Sequence, residues 1–519
     1  MIDRLIAFSV HQRALVIVLA VVFVVLGLVG ASKVPIDAVP DVTNVQVQVL
    51  TPALALGTED VETLVSAPVE RAMSGLPGLE EIRSTSRAGI SAVTVTFDDQ
   101  TDLFKARQLV GERLSVARRD IPAEYGTPML GPSAGALGEI YHFEVKGAGS
   151  LMDRRSALDW NVVPRLRLVP GVVEVNTMGG EAKSLEITLD AARLSTARVS
   201  VPEVLSALSR NHLTTGGAYL VDGMEHVTVR GEGRIKTAED LGSVVVETRA
   251  DRTPLFMRDL GEVRYAPLAR YGAATRDGRA DEAVLGIVVM AAGANSQHVV
   301  EGVRAEVEEI QKSLPAGMRI EAYLDRMDLV QRTIHTVTGN MLEASALVLL
   351  VLFVMLASLR DGIVVAIAIP LALLGAFLGM WLGGVAGNLI SLGAIDFGLV
   401  VDGAIIIVEN ALRRLSERRE QLGRILTDSE RSEIVISASR EVRSATAFGE
   451  AIIALVYLPV VALQSIEGRM FRPMALTVLF ALATGFVLSL TLIPALASLI
   501  LPRDAHDKES PVVHFALRL

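Results

Sequence analysis

Residues 389–411, LISLGAIDFGLVVDGAIIIVENA, are apolar and long enough to cross a bilayer, yet they carry Asp396, Asp402 and Glu409. An ionised carboxylate at the centre of a helix in lipid costs about 2.5–3.5 kcal/mol even on the mild insertion scale. Acids inside such spans face a bundle interior and mark ion or proton pathways. On a regular helix Asp402 and Glu409 fall within roughly 20° of one another, two turns apart, with Asp396 about 120° from Asp402. Carboxyls placed there can bind and release protons from two sides of a membrane. The alternative is that the acids pair with a cation on a neighbouring span and only hold helices together. The other apolar stretches offer no centrally placed Lys or Arg.

The remaining apolar content is concentrated in five further stretches, at 14–31, 341–359, 362–382, 445–463 and 473–501. That agrees with a chain that is 51% hydrophobic and 21% charged, with a mean hydropathy of +0.44. The first stretch follows Arg4, His11 and Arg13, and Lys33-Val-Pro35 is a poor cleavage site, so it reads as an uncleaved helix and not a signal peptide. Residues 412–444 hold eight arginines, including Arg413, Arg414, Arg440 and Arg443, whereas the turn at 383–388 is uncharged. The positive-inside rule then puts the N-terminus, a loop at 412–444 and a tail at 503–519 in the cytoplasm, and residues 32–340 outside. Gly375, Gly379, Gly383 and Gly387 recur every fourth residue, a flat face for close helix approach, with a sliding surface beside the acidic helix as the sharper reading.

Between the first two spans the pattern changes to short alternating runs and amphipathic segments. Residues 42–50, 79–86 and 90–97 read as strands, with helices at 58–74 and 101–119. A second cycle runs from 139 to 177 and resumes at 284–323, and a small β-rich segment interrupts it. This is the split βαβ pattern of ferredoxin-like domains. The fold class expected is an α-helical membrane bundle of six transmembrane helices with a large α+β outer domain of ferredoxin-like βαβ subdomains plus an inserted lobe.

Several functions are disfavoured. A net charge of −10 gives no reason to expect nucleic-acid binding. With no cysteine there are no thiolate metal sites, and with no GxxxxGK[ST] loop there is no ATP site. No nucleophile–base constellation points to a hydrolytic enzyme.

The run Gly393-Ala-Ile-Asp396-Phe-Gly-Leu-Val-Val-Asp402-Gly-Ala-Ile-Ile-Ile-Val-Glu409-Asn410 is shared with a known family, as are Pro35-Ile-Asp37-Ala-Val-Pro40-Asp41, Gly138-Glu139-Ile-Tyr141 and Glu467-Gly468 with Phe471-Arg472-Pro473. On these residues the chain resembles the N-terminal half of a resistance–nodulation–division (RND) transporter, heavy-metal efflux branch, of the cobalt–zinc–cadmium type. The resemblance covers nearly the whole chain. It implies a proton antiporter of the bacterial inner membrane, not an enzyme, exporting divalent cations of the Zn, Co, Cd and Ni class. Asp396, Asp402 and Glu409 would be its proton relay, and no cofactor is expected beyond the proton gradient and the transported metal. It further implies a homotrimer working with a periplasmic adaptor and an outer-membrane channel.

The implied domains are a first transmembrane helix at 1–34, a first porter subdomain at 35–130, a second at 131–180 and 264–335, and a docking lobe at 181–263. Helices two to six with the 412–444 loop fill 336–502, and the cytoplasmic tail is 503–519. Glu139, in the shared Gly-Glu-Ile-Tyr run, is the first candidate metal ligand and Glu174 the second. Met178, Met224, Met257 and Met290 are scattered, as are the eight histidines. Thioethers would favour Cu(I), whereas carboxylates suit divalent cations. Members of the family are about twice this length. A truncated product, a half with a second-half partner chain and a half that dimerises are all expected forms. Export of monovalent Cu or Ag, small-molecule efflux and a proton-driven protein-export factor are the alternative functions.

Overall fold

The computed structural model describes residues 2–37, 40–212, 214–222, 225–249, 252–270, 272–356, 359–395 and 397–502. The anticipated tail at 503–519 lies outside them. The chain divides into two compact units. One takes in the residues up to Ile140, Val289–Gly302, and the chain from Asp325 onward; the other is Tyr141–Val288 with Val303–Leu324.

In the first unit, strands β1 (Val45–Ala53), β2 (Leu79–Arg87), β3 (Gly89–Phe97) and β4 (Met129–Leu130) form a sheet in the order β2-β3-β1-β4. Alternation places Val47 and Val49 on one face, opposite Val95 and Val93. That face is closed by helix Leu103–Asp120, which buries Ala106, Val110, Leu114 and Ala117 against it. Asp102 starts this helix, its carboxylate accepting from the Phe104 and Lys105 amides. The helix expected at 58–74 is interrupted by a π-turn at Glu62–Ser66.

The second unit holds most of β5 (Ala134–Gly147), β6 (Val172–Met178), β9 (Leu285–Ala291) and β10 (Met318–Asp325), in the order β10-β5-β9-β6; β5, β9 and β10 begin or end beyond its limits. Numbered within each sheet, both follow one order: second, third, first, fourth. Between β6 and β9 the chain makes an excursion opened and closed by the antiparallel pair β7 (Lys183–Leu189) and β8 (Gly261–Pro267). It has its own core around Val204, Ala207, Met257 and Leu260.

Six helices among the described residues are long and apolar enough to cross a membrane: Arg13–Lys33, Arg326–Val351, Arg360–Leu382, Leu389–Leu422, Asp428–Val461 and Ser465–Leu490. At 21 residues, the first spans about 30 Å, the thickness of a hydrocarbon core. It packs on the third through Gly27 and Gly30, where a side chain would run into Leu374 and Leu378. Val18, Val21, Val25 and Leu28 remain exposed.

Two helices break where a proline dictates. The third is split between Leu359–Ala366 and Ala368–Leu382, and the apolar run expected as one span at 473–501 is split between Ser465–Leu490 and Leu492–Ile500. A proline ring clashes with the carbonyl four residues back. For Pro370 that is Ala366 and for Pro494 it is Leu490, where the preceding helix ends in each case.

Most of the segment expected as a cytoplasmic loop at 412–444 is helical. Helix Phe397–Leu422 and helix Asp428–Val461 run through most of it, joined by a short turn at 423–427. The charge density that reads as a solvated loop is spent on pairs that hold the helices: Arg414 meets Glu441 at 2.6 Å and Glu417 at 3.2 Å, and Arg424 meets Glu430 at 2.7 Å. Thr427 and Glu430 form a capping box at the start of the second helix. Buried Arg431 donates to the carbonyls of Leu499 and Leu501, capping the end of helix Leu492–Ile500.

Candidate functional site

The acidic segment is two helices. Asn388 caps the short helix Leu389–Gly393, its Oδ1 accepting from the Ser391 amide while Ser391 Oγ accepts from the Asn388 amide. The helix stops at Ala394, and the long helix begins at Phe397. Asp396 lies outside the described residues.

Asp402 and Glu409 lie on the long helix, and both are exposed, with Ile406 exposed between them. Together they mark one face of the helix that no described part of the chain covers. The opposite face, with Val401, Ala404, Val408 and Ala411, is buried in the largest apolar core.

Sequence reasoning missed one carboxylate. Glu450 lies in helix Asp428–Val461, only 9% exposed, and neither of its carboxylate oxygens has a hydrogen-bond partner among the described residues. It fits against the acidic helix because residue 403 is glycine. A Cβ on Gly403 would sit 2.5 Å from Glu450 Oε1, 3.0 Å from Thr446 Cγ2 and 3.3 Å from Ser489 Cβ. Thr446 and Ser489 spend their hydroxyl protons on the carbonyls of Val442 and Phe486. Asp402, next to Gly403 in sequence, is near enough to act on Glu450 electrostatically. The signal was present as a lone acid inside the apolar run 445–463.

Of the glycine stripe, two residues lie in a close helix contact and two lie at or beyond the end of the helix. Gly375 and Gly379 meet Thr484 and the Phe480 ring of helix Ser465–Leu490, not the acidic helix. Ala372 and Ala376, on the adjoining face, pack in one cluster with Val400 of the acidic helix. Gly383 ends its helix as the C-cap, beneath the Phe480 ring. Gly387 is beyond the helix, in extended chain bridged to Ile36: its amide donates to Pro35 O and its carbonyl accepts from the Asp37 amide. Gly384, with φ of +63°, turns the chain out of helical geometry before Gly387 is reached.

The two candidate metal ligands belong to different units, Glu139 to the first and Glu174 to the second. Glu139 is exposed on β5. Glu174, on β6, faces Arg167 at 3.8 Å. Among the described residues no group of three or more His, Asp or Glu could hold a metal ion.

Charge in the second unit is paired. Glu144 accepts from Arg276 at 3.0 Å, and Lys146 donates to Glu321 at 3.0 Å. The hydrogen bond from Lys146 holds the Glu321 carboxyl below its ordinary range. Glu282 is likewise held low, first by its hydrogen bond from Arg270 and then, against the cost of its burial, by the Gly180 amide at 2.9 Å.

Six apolar helices, one bearing carboxylates on an uncovered face, together with two sheets of one strand order, define a polytopic membrane protein with α+β lobes. The AcrB/AcrD/AcrF family model matches residues 5–518, and the chain belongs to that family. It is 41% identical over its whole length to the cobalt-zinc-cadmium resistance protein CzcA of Cupriavidus metallidurans, covering 49% of it. It is 39% identical over 99% of its length to the nickel-cobalt-cadmium resistance protein NccA of Alcaligenes xylosoxydans xylosoxydans, covering 50% of it. The crystal structure of a heavy metal efflux pump superposes on 96% of the chain with a TM-score of 0.84 at 34% identity, and 48% of that pump is covered. The chain thus spans about half the length of the relatives it matches.

Proposed function

We propose that this chain provides one half of a proton-coupled RND pump that exports divalent heavy-metal cations across the bacterial inner membrane. The observation that carries the reading is the face of helix Phe397–Leu422 that holds Asp402 and Glu409, apolar around them and uncovered along its length. Carboxylates are kept on such a helix at a cost that proton translocation justifies. The uncovered face is where a second half would close the path, since parallel repeats put their functional path at the interface between halves.

The cargo follows from the relatives, whose names record cobalt, zinc, cadmium and nickel. Asp396, Asp402 and Glu409 act as the proton relay, and Glu139 and Glu174 contribute first-half ligands along the metal route. The arginines at 413–443 set the cytoplasmic side. The pump assembles as a trimer with a periplasmic adaptor and an outer-membrane channel.

The test is complementation of a metal-sensitive bacterium. With its second half present, the chain restores growth in zinc, cobalt, cadmium or nickel, and Asp402→Asn removes the resistance at unchanged protein level. Resistance retained by Asp402→Asn overturns the reading.

A further inference from the structure

We propose that Glu450 is a proton-carrying carboxyl that works as a pair with Asp402, so that the relay extends from the acidic helix into its neighbour Asp428–Val461. The inference rests on the proton-coupled reading above. Its basis is the pocket around Glu450. The side chain is nine-tenths buried, both oxygens lack a hydrogen-bond partner among the described residues, and the carboxyl is seated directly on Gly403.

The charged groups near it can be named element by element. The acidic helix brings Asp402. Helix Ser465–Leu490 brings Ser489, and from Pro473 to Leu501 the chain has no charged residue. Helix Ile2–His11 reaches helix Asp428–Val461 through Asp3, which pairs with Arg443 at 2.8 Å, two turns of helix before Glu450. On its own helix Glu450 is flanked by Thr446, Phe448, Gly449 and Ile453. Among the described residues nothing in this shell neutralises an anion.

A buried carboxylate without a donor or a cation is strongly disfavoured, whereas the neutral acid suits an apolar pocket. Two carboxyls near enough to act on one another electrostatically do not both ionise readily, so they hold one proton between them. The two are not hydrogen-bonded to each other, so the transfer runs through water. The O–H bond of Glu450 breaks, the water relays the proton, an O–H bond forms on Asp402, and the pair carries one negative charge before and after. Asp402, on the uncovered face, exchanges that proton with the rest of the path. A purely structural glutamate would be expected to show hydrogen bonds to its neighbours. Glu450 instead sits where Gly403 leaves room for its carboxyl and for no more.

The experiment uses the complete pump reconstituted in liposomes, with Zn²⁺ as the probe. Infrared spectra recorded across pH in H₂O and D₂O report the C=O stretch of a protonated carboxylic acid. The wild type is expected to show a D₂O-sensitive band that Glu450→Gln removes. Zn²⁺-driven proton flux is expected to fall roughly 100-fold in Glu450→Gln, and to recover in part, with a displaced pH profile, in Glu450→Asp. Because Glu450→Asp keeps the acid, it carries the test if the glutamine variant does not fold. An unchanged infrared band in Glu450→Gln, or wild-type flux and pH profile in both variants, overturns the inference. Asp402→Asn separates the two failures: if it stops flux while Glu450→Gln does not, only this inference falls, and if flux survives it, the proton-coupled reading falls as well.

Discussion

Arg326 grips Asp37 with two hydrogen bonds, Nε to Oδ1 at 3.1 Å and Nη2 to Oδ2 at 2.9 Å. Ser296 Oγ donates to the same carboxylate at 3.1 Å, and Arg326 Nη1 donates to Leu137 O. Residues 289 positions apart in the chain are thereby fixed at the start of helix Arg326–Leu356, just beyond the end of the first apolar helix. Such a bidentate pair is directional as well as attractive.

Arg326→Ala removes the guanidinium that grips the Asp37 carboxylate. Removing one partner of a buried pair costs about 3–5 kcal/mol. The Arg326 side chain is 10% exposed and Asp37 26% exposed, so the loss is expected to be nearer 2–3 kcal/mol after solvent screening. Thermal unfolding in detergent, followed by size-exclusion fluorescence, should show a clearly lower midpoint, with Arg326→Lys in between. A midpoint equal to wild type would show that the pair is idle.

Gly379→Val should prevent the third and sixth apolar helices from closing. The new side chain would enter the Phe480 ring, which lies 2.5 Å from the Cβ position. Overpacking of this kind costs about 1–3 kcal/mol, read as a drop in monodisperse protein. Adding Phe480→Ala should restore part of the loss, and additive losses in the double variant would refute the contact.

Glu282 should make the second unit acid-sensitive. Its folded carboxyl lies below the ordinary value of 4.5, through Arg270 first and the Gly180 amide besides. A group whose folded pKa is depressed contributes stability above its unfolded pKa and loses it as pH falls through the folded one. Glu282→Gln should therefore melt earlier than wild type near neutrality, and the gap should close as pH falls below about 4. A gap that does not change with pH would mean the bond to Arg270 is not what holds Glu282 low.

Arg431→Ala should loosen the end of helix Leu492–Ile500 without touching the acids. Amide hydrogen exchange at Leu501, whose N–H donates to Ala497 O, should speed up, since Leu499 and Leu501 lose the donor that their carbonyls share. Unchanged exchange would assign the capping to other groups.

Much of this architecture was legible in residue patterns. Val47 and Val49 alternate with polar neighbours as a half-buried strand must, and the apolar runs are each long enough to span. The helix breaks were legible in principle too, because Pro370 and Pro494 mark the carbonyls they cannot accommodate. The helical character of 412–444 was not legible in its charge density, because Arg414, Glu417 and Glu441 satisfy one another only once the two helices have packed. Glu450 was the harder case. Its meaning depends on Gly403 and Ser489, which are distant in sequence and meet it only after three helices have packed.

The shared strand order of the two sheets has a consequence for the lobe between Lys183 and Pro267. In the first sheet the second and third strands are joined by a tight hairpin through Ala88-Gly89, where Gly89 has φ of +86°. In the second sheet the equivalent strands, β6 and β9, are also neighbours, but the lobe takes the place of the hairpin. Its two ends leave and return at adjacent points of a sheet already complete without it, and loop-closure cost grows only with the logarithm of length. The lobe is in that sense a cassette: its surface can change, or the whole excursion be exchanged for a turn, without rewriting the sheet that carries it.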